Sequence, residues 1–160
     1  MIPWRRQLSK NTGGSASMTK PTFVLDSFAL LAYLNGETGQ ARVVEVLTQA
    51  QEGRARALLC SLNLGEILYI IERRRGLVNA QCAQALLESL PLEEILPDRA
   101  LILDAAHIKA GHAISYADAF VAALAMRESA VILTGDPEFE AVQGLARVEW
   151  LTSPSADSQS

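Results

Sequence analysis

Residues 22–34 read TFVLDSFALLAYL, and residues 131–139 read VILTGDPEF. Each stretch opens on a short run of strand-forming residues, reaches an aspartate, Asp26 or Asp136, and carries on into a segment with a helical start. A strand that ends on an acid puts that acid at the carboxyl edge of a sheet, where open α/β folds build their sites. Outward from these two stretches the alternation continues. Ala57–Cys60, Leu92–Leu96 and Val148–Leu151 read as further strands beside Thr22–Leu25 and Val131–Leu133. Helices are expected over Phe28–Leu34, from Ala41 toward Gly53, over Leu62–Arg75, from a cap at Asn79 to about Ser89, from Asp98 to about Ala110, and from Ser115 through Ala125. Gly36 and Gly39 bound a turn, while Gly53, Gly76 and Gly111 stop helices. Strands separated by helices predict an α/β fold in three layers, a parallel sheet of about five strands covered on both faces.

With 160 residues, 49% hydrophobic and 20% charged, the chain suits one domain with a substantial core. Residues 22–151 carry the pattern. The first 21, MIPWRRQLSKNTGGSASMTKP, are expected to be a disordered or vector-derived extension, and residues 152–160 a flexible tail. A net charge of −4 gives no global electrostatic argument for nucleic acid and does not exclude it. The run Arg73, Arg74, Arg75 reads either as the cation-favouring end of a solvated helix or as a phosphate-contacting patch. Cys60 and Cys82, far apart in apolar contexts with no CxxC pairing, are expected to be buried free thiols in a reducing compartment. No apolar stretch approaches the roughly 18 residues of a membrane span, so a cytoplasmic protein is expected.

Four acids sit in apolar settings: Asp26, Glu66 in SLNLGEILYI, Asp118 in ISYADAFVAALA, and Asp136. Desolvating a lone carboxylate is costly, so each should be paired or they should share a cation. Three have simple structural explanations. Asp26 and Asp136 suit helix N-caps, although Ser27 could cap in place of Asp26, and Ser115 with Asp118 forms an S-x-x-D capping pattern. Glu66 shares a helical face with Leu62, Tyr69 and Ile70, so its carboxylate should point toward the protein, where an Arg partner is the alternative to a ligand. Thr134 offers a hydroxyl that can orient a carboxylate, a water or a phosphate. Together the acids make an oxygen-only set suited to Mg²⁺ or Mn²⁺ rather than zinc, and such a site supports in-line attack of a metal-activated water on a phosphodiester.

In this order and in the contexts VLDSFALLAYL, NLGEILY, ISYADAFVAALA and TGDPEF, the four acids resemble those of a PIN-domain ribonuclease, most closely the VapC-type toxins of prokaryotic toxin-antitoxin systems. The resemblance covers about residues 22–151. It implies a five-stranded parallel sheet with the acids gathered in one groove: Asp26, Glu66 and Asp118 as the core metal site, Asp136 completing it directly or through water, and Thr134 as the family's small hydroxyl residue. It also implies Mg²⁺- or Mn²⁺-dependent RNA cleavage, a small antitoxin partner and a homodimer. Two alternatives remain. A phosphatase of haloacid-dehalogenase type would want a second acid two residues after Asp26, where Phe28 stands. A PIN-like module without catalysis would have no reason to retain mutually repelling buried acids. The groups Tyr33, Leu34, Val44, Leu47 and Leu68, Ile71, Leu77 exceed what a small sheet needs to cover, and read as core packing or as a seam for a second copy or the antitoxin.

Overall fold

The computed structural model describes residues 19–151. The expected tail and residues 1–18 of the expected extension lie outside the described residues. Strands β1 (Thr22–Leu25), β2 (Arg56–Cys60), β3 (Glu93–Ile95), β4 (Val131–Thr134) and β5 (Val148–Trp150) form one sheet in the order β3-β2-β1-β4-β5, every pairing parallel. The helices are α1 (Ser27–Asn35), α2 (Gln40–Gln51), α3 (Ser61–Arg75), α4 (Leu77–Ser89), α5 (Arg99–Gly111) and α6 (Tyr116–Glu128), with a 3₁₀ helix over Pro137–Val142.

Period-two alternation divides β1 between two cores. Phe23 and Leu25 pack with residues of α1 to α4, whereas Val24 packs with α5, α6 and the 3₁₀ helix. The result is the expected three-layer α/β/α arrangement. Helix α6 buries eight consecutive residues, Asp118 to Ala125, which leaves it no solvent stripe over that stretch and makes it a central element of its layer. The chain runs from β1 outward to β3, then returns to place β4 on the other side of β1. That reversal makes the carboxyl ends of β1 and β4 the switch point where α/β sheets leave a crevice.

Several local expectations are corrected. Helix α4 starts at Leu77 with Gly76 as its cap, not at Asn79; Gly76, with φ +87°, ends α3 and opens α4 at once. Asn79 instead donates from its side chain to Arg75 O at 2.7 Å. Strand β3 keeps only three of the five residues expected of it. Cys60 is buried as expected but Cys82 is exposed, because the buried stripe of α4 runs through Ala80, Ala83 and Leu87. The Gly36 to Gly39 turn is borne out, both glycines adopting the left-handed conformation, φ +65° and +97°.

Gly135 is required for a different reason. The Phe28 ring lies across it so closely that an added Cβ would overlap Cε1 and Cζ and come within 2.9 Å of Cδ1. Gly135→Ala is expected to displace that ring and cost about 1–3 kcal/mol. A chemical denaturation midpoint unchanged from the parent would contradict this.

Candidate metal centre

Asp26 lies one residue beyond β1 and is 1% exposed. It, and not Ser27, caps α1: its Oδ1 accepts from Ala29 N–H at 2.9 Å, while Ser27 lies inside the helix, its hydroxyl 3.4 Å from both Asn63 O and Asn63 Nδ2. The other carboxylate oxygen, Oδ2, accepts from the Thr134 hydroxyl, which in turn accepts from Asp136 N–H at 2.9 Å. Thr134, fully buried at the end of β4, therefore links the acid of one stretch to the backbone of the other. Burial pushes Asp26 up to about 7; the bonds from Thr134 and Ala29 oppose that rise, and the neighbouring charges of Asp136 and Glu66 add to it.

Asp118 lies in the first turn of α6 and is 6% exposed. The forward half of the capping pattern is present, because Ser115 Oγ accepts Asp118 N–H at 3.1 Å. The Ser115 N–H, however, donates to Glu138 Oε2 at 3.2 Å, from the 3₁₀ helix. Glu138 thus supplies the reciprocal cap from another element, which leaves Asp118's carboxyl free for a second role. Desolvation is the main reason Asp118 is pushed up to about 8; its contact with Glu138 and the charges of Asp26 and Asp136 add to this, and Ser115 opposes it. Asp136 caps the 3₁₀ helix through Glu138 N–H at 2.9 Å, with Pro137 just behind it as expected.

Glu66 is half-buried on α3, near enough for its charge to act on Asp26. The face assigned to it is corrected: Leu62 and Tyr69 are 40% and 51% exposed, and α3 buries Asn63, Ile67 and Ile71 instead. The sheet packs against that second stripe, which puts Glu66 at its margin. Among the described residues no Arg or Lys forms an ion pair with Glu66, so the structural alternative of an Arg partner finds no support.

Two residues escaped the sequence reading. Glu138 stands two places after Asp136, but its reach to Ser115, 23 residues away, has no local signature. Asn63 is fully buried against Ser27, with its Oδ1 unpartnered, and joins the first turn of α3 to that of α1. His112 is the C-cap of α5, its Nδ1 2.9 Å from Ile108 O.

The donor set fits a hard divalent cation. Oxygens of Asp118, Asp136 and Glu138 lie within 4.8 Å of one another, with Asp26 and Glu66 coupled to the group through their charges. Desolvated carboxyls that repel one another gain most from a cation that replaces their protons, and all the donors are oxygen.

Fold and site together define a doubly covered parallel α/β domain with an acidic cluster at its switch point. The chain belongs to the PIN domain family, whose model matches residues 23–145. The same fold recurs in VapBC2 from Rickettsia felis bound to a promoter DNA fragment, with 17% identity and a TM-score of 0.65 over 80% of this chain and 97% of that one. It recurs in DNA-bound VapBC from Salmonella typhimurium, with 20% identity and a TM-score of 0.65 over 82% and 99% of the two chains. A third instance is VapC20 of Mycobacterium tuberculosis, a toxin that cleaves the sarcin-ricin loop, with 20% identity and a TM-score of 0.60 over 76% and 94%. No curated protein sequence matches the chain.

Proposed function

We propose that this protein is a Mg²⁺- or Mn²⁺-dependent endoribonuclease, the toxin of a type II toxin-antitoxin system. The observation that carries this reading is the convergence of Asp26, Asp118 and Asp136 at the switch point, two of them desolvated and raised far above ordinary carboxylates. Membership of the PIN family and the fold shared with VapC toxins support it. When bound, a divalent ion supplies Lewis acidity toward a phosphodiester and a nucleophile at neutral pH. Asp26, Glu66 and Asp118 would hold it, with Asp136, an oxygen of which lies within 4.8 Å of an Asp118 oxygen, completing the site directly or through water. Thr134 fixes the Asp26 carboxylate, and the caps on α1 and α6 fix where Asp26 and Asp118 stand.

Among the described residues no helix is long and apolar enough to cross a membrane, which accords with a cytoplasmic enzyme meeting RNA there. A small antitoxin and a second copy of the chain are the protein partners of this reading. The surface gives them two open apolar grooves. One, of about 520 Å³, is lined by Leu62, Gly65, Pro97, Ile102, Tyr116 and Phe120; the other, of about 300 Å³, includes the Tyr33 and Val44 singled out in the sequence. Of the remaining residues in those groups, Leu47 and Ile71 are core and Leu77 is exposed.

Incubating the protein with total RNA in Mn²⁺ or Mg²⁺, then mapping the new ends, tests the proposal. Cleavage that EDTA suppresses is expected. Phosphate release from a small monoester with RNA left intact would instead establish the phosphatase alternative, against which stands the Phe28 ring packed on Gly135 where that chemistry wants an acid. RNA binding with no cleavage in either metal would establish the non-catalytic one.

A further inference from the structure

We propose that the outward face of α3 is a track for single-stranded RNA, Tyr69 stacking on a base and the Arg73–Arg75 run holding a phosphate, an inference that rests on the nuclease reading above. Leu62, Glu66, Tyr69 and Arg73 are spaced four, three and four residues apart and share one stripe of α3, away from the buried stripe of Asn63, Ile67 and Ile71. The stripe leads from an acid of the site to the arginines. At ~1.5 Å per residue Arg73 stands about 10 Å along the helix from Glu66, the length of about three stacked nucleotides at ~3.4 Å each.

The end of α3 does not itself call for three cations. Its carbonyls Glu72 O and Arg75 O already accept, from Gly76 N–H at 2.8 Å and Asn79 Nδ2 at 2.7 Å. Helix α4 begins at once, so its positive end offsets the negative end of α3. That positive end has no side-chain cap and no acidic residue in its first turn, and it adds to the pull of the arginines on an anion. The ion pairs among the described residues engage Arg42, Arg54, Arg56 and Arg127, not this run, all three members of which are exposed. The Arg73 guanidinium lies over the Tyr69 ring, 5.4 Å from its centroid, which holds the cation beside an aromatic residue that is still 51% exposed. An aromatic ring and a guanidinium side by side offer an unpaired strand a surface for its base and a charge for its phosphate. In a chain of net charge −4 that attraction is local to this face. A protein partner seated there would have to desolvate three charges to reach one tyrosine, which favours RNA as the occupant.

Fluorescence anisotropy of a labelled single-stranded RNA of mixed sequence, bound to the full chain in EDTA over a series of salt concentrations, tests the track. Arg73→Gln is expected to weaken binding roughly three- to tenfold at low salt and to shallow the fall of log affinity with log salt by about 0.7, the share of one phosphate contact. Tyr69→Ala should weaken binding about tenfold, and Tyr69→Phe, which keeps the ring, should bind as the parent does. Arg54→Gln, an equal charge change ahead of β2 and so at the other end of the sheet from the acids, should also bind as the parent does. Either Arg73→Gln or Tyr69→Ala binding RNA like the parent removes that residue from the track, and both doing so overturns it, leaving the nuclease reading to its own cleavage assay. If the two substitutions spare RNA binding but shift the oligomeric state on size-exclusion chromatography, the face is a protein seam, which overturns the track equally. A parent protein that binds no single-stranded RNA overturns the track, and if it also cuts none in Mn²⁺ the nuclease reading falls with it.

Discussion

Asp118→Asn is expected to lower metal-dependent RNA cleavage about 10³-fold or more while leaving the metal-free protein at least as stable as its parent at pH 8. The two halves of this expectation come from different atoms. Asparagine preserves the shape of the side chain, and the α6 cap runs from the backbone N–H of residue 118 to Ser115 Oγ, so the substitution does not touch it. What disappears is the charge, at a position buried beside Glu138 and within reach of the charges of Asp26 and Asp136. At pH 8 the unfolded chain ionises this aspartate freely, whereas the folded chain, with the group pushed up to about 8, resists ionisation. Removing the acid therefore removes a penalty on the folded state. Cleavage assays beside thermal melts check both halves, and cleavage that survives the change would sink the proposed function.

Mn²⁺ affinity is expected to rise on the order of 10²- to 10³-fold between pH 6 and pH 8, because the ion must displace protons from Asp26 and Asp118. With Asp26 raised to about 7 and Asp118 to about 8, both are largely protonated at pH 6. By pH 8 the proton on Asp26 is mostly gone and that on Asp118 about half gone, so Asp26 contributes roughly one decade and Asp118 between one and two. The sign for stability is opposite in the metal-free protein. Both folded values lie above the unfolded one near 4, so the folded state holds more protons between about pH 4 and pH 8 and loses stability as pH rises through that window. Added Mn²⁺ should thus raise the melting temperature more at pH 8 than at pH 6. Calorimetry in two buffers of different ionisation enthalpy would count the released protons, and an affinity flat across this range would contradict the displacement.

The strand-to-acid stretches were legible because the signals are local. In TFVLD and VILTGD the burial alternation, the turn and the cap lie within a few residues of one another, and Asp26, Ser115 and Asp136 all cap as their neighbours predict. The face of α3 was misread because Leu62 and Tyr69 look like core residues in a list of side chains, and only the position of the sheet shows that Asn63, Ile67 and Ile71 are the ones covered. Cys82 was misplaced for the same reason, since an apolar sequence context does not say which side of α4 meets the protein.

By itself, then, the sequence determined the element types, the parallel α/β class and four of the acids, all consequences of periodicity and capping over short separations. The strand order, and with it the pairing of β1 directly with β4 at the mouth of the site, came only from tertiary structure. So did the bridge from Thr134 to Asp26, a contact spanning 108 residues. So did Glu138, recruited to the site by a bond to Ser115 that no local pattern records. The opening pair of stretches keeps its importance, because sheet pairing of β1 with β4 brings the two helix caps together at one end of the sheet, where Thr134 joins the Asp26 carboxylate to the Asp136 backbone.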